Sequence, residues 1–408
     1  MSAVYIHIPY CKQKCGYCSF YSVTDFCNMV EYIEAVCREI VGAALCRLHN
    51  KKIDTIYIGG GTPSILSYNQ LAKIINTLSS NFKISKNAEI TIEVNPESAS
   101  SVFFTKAKKL GINRISIGLQ THDDKILKQI NRLHNYEMFE IAVSLAQKAG
   151  IDNVSTDIIL GLPNQDKESV IKSLELLTGF SSVKHISMYG LTLEEDTALY
   201  KQGFRVNADK QADLYDMAVE YLASKNFARY EISNFAKPNY KSKHNQKYWT
   251  GENYYGFGAG AHSLIDGVRI ENNADIKAYI EYYLMQTDEQ NYPPLRRVSD
   301  FNMTKKKQAT FVGVTEGNCS CLGIPQYQTH HILTLQEKIE EYIMLGLRTT
   351  VGINLTKLKQ KYDYDLLSAK KNQIEKLLSQ NLLQQKEDNI TVSPHAFYVM
   401  NAIVVELI

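Results

Sequence analysis

Short β-branched and apolar runs alternate with longer amphipathic stretches from Ala3 to about Leu191. That alternation predicts repeated strand–helix units on a parallel sheet. The expected strands cover 3–8, 53–58, 89–93, 114–118, 153–160 and 185–191, with helical stretches such as 29–48 and 71–78 between them. Six such units describe an α/β fold, a partial (β/α)6 barrel. In barrels of this kind the chemistry lies where loops converge at the carboxyl ends of the strands. A further helix is expected over 208–225, with Leu214, Met217, Ala218 and Leu222 forming one core-facing stripe.

The periodicity is lost from 287 to about 335, where the chain turns basic and polar around Pro293-Pro294 and Lys305-Lys306-Lys307. This reads as a linker or surface insertion. Cys319 and Cys321 have no partners at metal-ligand spacing and are read as spectators. His330 and His331, as adjacent helical residues, would point in different directions and hold no metal together. Helices over 337–347, 355–362 and 366–380, then short strands over 382–385 and 390–392, predict a small C-terminal helical, winged-helix-like domain with a packing or protein-contact role. The expected organisation is a barrel over 1–230, a barrel extension over 231–286, a linker or insertion over 287–335 and the C-terminal domain over 336–408.

With 45 basic and 43 acidic residues the net charge is +2, which gives no electrostatic case for wrapping nucleic acid or coating an anionic membrane. No apolar run approaches the ~20 residues that span a bilayer. The N-terminus lacks the basic and apolar regions of a secretory signal, so a cytoplasmic location is expected.

The chemistry concentrates in the cysteines at the first strand end. Cys11, Cys15 and Cys18 fall within eight residues, enough to wrap one corner of a metal centre and too few to close a four-coordinate site. A zinc knuckle is the alternative, weakened because His7, inside a strand, is the only close fourth ligand. After the second strand, Gly59-Gly60-Gly61-Thr62-Pro63-Ser64 lets the backbone approach a ligand closely. Glu93, Gln120 and Asp157 sit at further strand ends, as caps or as polar groups facing the barrel mouth. Arg132 adds a fixed cation suited to a carboxylate or a ribose-phosphate-like acceptor. Between Tyr230 and His262 aromatics, glycines and histidines crowd together with the only tryptophan, suggesting a surface for a flat ligand.

The Cys-x3-Cys-x2-Cys triplet resembles the signature of radical S-adenosylmethionine (SAM) proteins. The Tyr5–Cys11 run, the Gly-Gly-Gly-Thr-Pro-Ser loop, Asn113–Gln120, Asp157–Pro163, Tyr230–Lys237 and Tyr342–Arg348 together resemble the coproporphyrinogen III oxidase-like family over nearly the whole chain. The oxidase branch carries a fourth cysteine where this chain has Phe20, and lacks His-Asn-x-x-Tyr-Trp. His244, Asn245, Tyr248 and Trp249 match that motif and make the chain similar to the haem-chaperone (HemW-type) branch.

The resemblance implies a radical-SAM barrel whose Cys11, Cys15 and Cys18 hold a [4Fe-4S] cluster with one open iron. It implies that Tyr5, Gly60, Gly61, Thr62, Glu93, Gln120, Arg132 and Asp157 contact SAM. It also implies a haem site at His244, Asn245, Tyr248 and Trp249, with His244 as the candidate iron ligand. The implied partners are haem and haem-accepting apoproteins such as respiratory cytochromes. Nucleic acid is not among them; membrane-associated partners and a homodimer are allowed for. The enzymatic alternative is oxygen-independent oxidative decarboxylation of coproporphyrinogen III propionates, with the hard chemistry supplied by the cofactor.

Overall fold

The computed structural model describes residues 2–44, 52–285 and 327–408. β1 (Ser2–Ile8), β2 (Lys52–Gly60), β3 (Lys83–Val94), β4 (Arg114–Gln120), β5 (Val154–Leu160) and β6 (Val183–Gly190) pair in parallel, each with its sequence neighbour. β7 (Ala228–Arg229) and β8 (Asn234–Ala236) add antiparallel beyond β6. β9 (Tyr254–Phe257) returns to the other edge and runs parallel to β1, followed by antiparallel β10 (His262–Ile265), β11 (Val268–Asn272) and β12 (Gln328–Ile332). Among the described residues these twelve strands form one sheet that ends at β7 and β12 and does not close. The expected partial barrel is therefore present.

Alternation along the strands decides which face is core and which is site. In β4, Ile115, Ile117 and Leu119 join the main apolar cluster with helix residues such as Phe104, Phe139 and Val143. Arg114, Ser116, Gly118 and Gln120 take the other face, because successive strand residues point to opposite sides. Each fully buried Ile or Leu of the outer layer contributes about 2 kcal/mol. The inner face is polar: Thr55, Thr91, Arg114, Ser116, Ser155, His185 and Ser187 are all buried there.

Helix ends follow local rules. Ser67 and Gln70 form a reciprocal capping box at the start of Tyr68–Asn81, and Asn207 caps Ala208–Ser224. On that second helix Leu214, Ala218 and Leu222 are buried as expected, whereas Met217 is only partly covered. The helix expected over 29–48 runs Met29–Ala43, and Leu48 lies outside the described residues.

The C-terminal unit has its own core of Ile339, Ile343, Leu358, Leu377, Phe397 and further apolar residues. Helices Leu335–Leu347 and Leu355–Tyr362 flank β13 (Ile353–Asn354), which joins β14 (Leu383–Lys386) and β15 (Asn389–Val392) in a three-stranded antiparallel sheet with β15 at its centre. The single helix expected over 366–380 is two, Leu366–Ala369 and Lys371–Ser379. Lys370, at φ −121° and ψ 32°, leaves helical geometry between them. A last helix, Met400–Leu407, buries Ile403, Val404 and Leu407 and was not expected from its β-branched sequence. Backbone bonds Ile232 N to Arg348 O (3.0 Å) and Thr350 N to Tyr230 O (3.1 Å) tie this unit to the barrel.

The stretch read as a linker needs correction at its end. Gln328–Ile332 is strand β12, in register with β11 from Val268↔Ile332 to Asn272↔Gln328. Most of its side chains are exposed or half-exposed, so no apolar alternation could have revealed it. His330 and His331 are therefore strand residues, not helical ones. The Lys305 run, Cys319 and Cys321 lie outside the described residues. No helix among the described residues is long and apolar enough to cross a membrane.

Candidate functional site

The cysteine loop folds back over the end of β1. Cys11 N donates to Val23 O (2.9 Å), Val23 N to Pro9 O (2.7 Å), Cys18 N to Cys15 O (3.2 Å) and Gly16 N to Ile130 O (2.9 Å). The glycine loop docks against it through Gly61 N to Ile8 O and Thr62 N to Tyr10 O, both 2.8 Å. A side chain would not fit here. A Cβ on Gly60, whose φ is +117°, would meet His7 Nδ1 at 2.7 Å, and one on Gly61 would meet Tyr10 O at 2.7 Å and Cys11 Sγ at 2.9 Å.

A cavity of about 480 Å³ opens at this end of the barrel, and Cys11, Cys15, Cys18, Gly60, Gly61, Thr62, Glu93, Gln120, Arg132 and Asp157 all line it. Residues spread over more than a hundred positions thus meet in one place. Thr62 Oγ1 donates toward Cys11 Sγ (3.6 Å) and Arg132 Nη1 toward Cys15 Sγ (3.5 Å). Burial pushes the Cys11 and Cys18 thiols up, so thiolates here call for compensating positive charge. Iron supplies it, and donors aimed at the sulfurs suit cluster ligation. Cys11, Cys15 and Cys18 line one cavity with side-chain donors directed at two of their sulfurs, and in a cluster each thiolate binds its own iron. The donor set therefore fits a cluster.

Two carboxylates line the same cavity as the sulfurs. Glu93 accepts from Tyr57 Oη (2.8 Å) and Gly60 N (3.0 Å), and burial raises its pKa to about 7. Asp157, beside Ser116 Oγ at 3.5 Å, is raised to about 6, again by burial. Together they offer acceptors to an ammonium group or another cation. Arg132 lines the cavity with part of its donor set engaged, its Nη2 donating to Asn95 Oδ1 (3.1 Å) and Gly118 O (3.3 Å). Gln120 holds a left-handed backbone, φ 69°, a conformation that costs about 1–3 kcal/mol outside glycine and tends to occur at functional sites.

Tyr5 stands apart from this wall. Its hydroxyl is 2.9 Å from His7 Nδ1, and its ring stacks on Tyr57 with centroids 6.2 Å apart. His7 is also spoken for, with Nε2 at 3.2 Å from Tyr21 O. Sequence reasoning missed Tyr57, Asn95, Arg114 and Ser116. The signal available for Arg114 and Ser116 was the polar–apolar alternation within Arg114–Gln120.

The His-Asn-x-x-Tyr-Trp motif lies on helix Lys243–Thr250, capped by Ser242. Glu89 on β3 accepts from the Lys243 and His244 amides (both 3.1 Å), placing a carboxylate at the positive helix end. His244 is 1% exposed and faces the barrel interior. Its Nδ1 is 3.1 Å from Thr55 Oγ1 and its Nε2 2.8 Å from Tyr248 Oη, while its ring lies 5.2 Å from that of Tyr57. Burial lowers its pKa to about 3. Tyr248 in turn packs edge-on against Tyr254 at 4.7 Å. The aromatic crowding read as a flat-ligand surface therefore largely packs upon itself. Trp249 differs, turning outward with Gln246 and Thr250 to line a second cleft.

Sequence profiles match this chain to the Radical SAM superfamily over residues 5–177 and to the HemN C-terminal domain over 333–399. It is 30% identical to the heme chaperone HemW of Bacillus subtilis (strain 168) over 397 residues, 96% of this chain and 94% of that one. Identity to the heme chaperone HemW of Lactococcus lactis subsp. lactis (strain IL1403) is 30%, covering 98% and 95% of the two chains. For the Synechocystis sp. (strain ATCC 27184 / PCC 6803 / Kazusa) heme chaperone HemW it is 34%, covering 88% and 80%. The fold matches the Escherichia coli coproporphyrinogen III oxidase (HemN), a radical SAM enzyme, with a TM-score of 0.78 at 19% identity, covering 100% of this chain and 90% of that one. With cluster-fitting cysteines, glycine loop and carboxylates gathered in one cavity, and relatives matching end to end, this chain belongs to the HemW heme chaperone family of radical SAM proteins.

Proposed function

We propose that this protein binds haem and passes it to haem-requiring apoproteins such as respiratory cytochromes. The observation that carries this reading is the end-to-end match to heme chaperones, which spans the cysteine loop, the motif helix and the C-terminal unit together. In this reading Cys11, Cys15 and Cys18 hold a [4Fe-4S] cluster, and Gly60, Gly61, Thr62, Glu93, Gln120, Arg132 and Asp157 receive SAM beside it. When bound, the cluster supplies an open iron site for the amino and carboxylate groups of SAM. The chain's own residues set the conditions: Arg132 and Thr62 direct donors at the sulfurs, the glycines admit the backbone, and Glu93 and Asp157 accept from the cofactor's amino end. Phe20, where an oxidase would carry another cysteine, is 72% exposed beside the cavity. The protein is proposed to work in the cytoplasm, meeting acceptors there or at membrane-associated complexes.

The test pairs a haem titration followed by absorbance with anaerobic incubation of reconstituted protein, SAM and coproporphyrinogen III. Haem binding with transfer to an apocytochrome, and no decarboxylated product, is the expected outcome. Turnover of coproporphyrinogen III would replace the chaperone reading with the oxidase one.

A further inference from the structure

The motif helix has two faces with different fates. His244, Lys247 and Tyr248, at i, i+3 and i+4, face the barrel, whereas Gln246, Trp249 and Thr250, at the same spacing, line a cleft of about 940 Å³ between the barrel and the C-terminal unit. That volume falls within the range of about 300–1,000 Å³ for small-molecule sites. The indole Nε1 of Trp249 is buried and has no hydrogen-bond partner. Trp249 itself lines the cleft and presents an aromatic side chain to it.

The charges on the cleft walls are lopsided. Lys241, Lys338, Lys357 and Lys361 all line it, and none is in an ion pair among the described residues. The acidic lining groups are engaged: Glu341 accepts from Arg269 Nε at 2.9 Å, and Asp266 from Asn253 Nδ2 at 2.6 Å. Between the lysines the walls are apolar and aromatic, with Leu345, Tyr342 and Tyr362. Lys357 and Lys361 lie four residues apart on one helix and so project from one face of the C-terminal unit.

We infer that this cleft is the porphyrin site, with the ring held beside Trp249 and its carboxylates met by Lys357 and Lys361 of the C-terminal unit. The inference rests on haem being the cargo and names where it sits. Among the described residues that line the cleft there is no histidine, cysteine or methionine, and the lysines and aromatic walls are suited to the carboxylates and the ring. The C-terminal unit thereby becomes half of the binding site. His244 becomes the residue that positions the helix carrying Trp249.

Ferric haem, metal-free protoporphyrin IX and protoporphyrin IX dimethyl ester are titrated, by absorbance, into the full-length reconstituted protein and its Lys357→Glu/Lys361→Glu variant. Both lysines are exposed, so the variant is expected to keep its iron content and melting temperature. The expected result is a tenfold or greater loss of affinity for haem and for the metal-free diacid. The ester should bind the wild type weakly and be indifferent to the substitutions. Haem affinity within twofold of wild type in the variant, or an ester bound as tightly as the diacid, overturns the cleft assignment while leaving haem carriage intact. Unchanged haem affinity with lost transfer to an apocytochrome assigns the lysines to an acidic acceptor surface and likewise overturns it. Absence of haem binding by the wild type defeats the chaperone reading itself.

Discussion

The two ends of the barrel interior are built from the same residue types and used in opposite ways. At the carboxyl end, Glu93, Asp157 and three cysteines face a cavity with acceptor and thiolate capacity to spare. Toward the other end, Glu89, Thr55, His244 and Tyr248 satisfy one another, and the motif helix lies against them. Polar groups inside a barrel thus do not by themselves mark a site. A site is where their bonding capacity is left for something else, and a seal is where it is consumed.

The sharpest way to break the contrast is at the open end. Cys15→Ser is expected to abolish iron–sulfur absorbance and bound iron while leaving far-UV dichroism unchanged, because this thiol is only half-buried and makes no apolar core contact. At the sealed end His244→Ala should act on the fold instead. It leaves the Thr55 and Tyr248 hydroxyls without their imidazole partner and opens a void, a cost of about 2–4 kcal/mol in denaturant unfolding, with iron content retained. Loss of iron without loss of stability would invert the assignment. Glu93→Gln should weaken SAM binding about tenfold, or about 1.4 kcal/mol, as read by equilibrium dialysis, since the charge is removed and one of the two acceptor oxygens, which take bonds from Tyr57 and Gly60, becomes an NH2 donor.

Acid and base should separate the ends by sign. Glu93 has a folded pKa of about 7 against an ordinary 4.5, so the folded state holds its proton more tightly, and this group's contribution to stability is lost as pH rises from about 4.5 to 7. His244 has a folded pKa of about 3 against 6.5, so its contribution is full above pH 6.5 and lost as pH falls below it. Unfolding of cofactor-free protein across pH 4.5 to 8 should show Glu93→Gln flattening the first loss and His244→Gln the second. Matching slopes for both variants would erase the distinction. The smallest effect is expected at Phe20→Ala, which should shift stability by no more than about 0.5 kcal/mol and leave the cluster bound, because the ring is 72% exposed.

Much of this was readable along the chain, for identifiable reasons. The six parallel strands were legible because each is bounded by turn residues and followed by an amphipathic helix. The cysteine and glycine loops were legible because they need particular residues at particular spacings, and their close approach leaves no room for a Cβ. β12 was not, because an exposed edge strand carries no apolar alternation. Nor was the split at Lys370, where an apolar pattern continues across a backbone that departs from the helix.

Taken alone, the order of residues determined the strand–helix repeat, the three-cysteine centre and the set of polar strand ends, since each depends on local spacing and side-chain chemistry. Which polar residues are spent and which are free was decided only by the tertiary structure. His244 and Glu93 look alike as isolated polar residues near aromatics. Packing gives His244 a partner on each ring nitrogen and so uses up its capacity, whereas Glu93 takes one bond on each oxygen, from Tyr57 and Gly60, and keeps further lone pairs on a cavity wall with a raised pKa. Hydrogen-bond satisfaction depends on neighbours brought together from distant parts of the chain, and no local pattern encodes it.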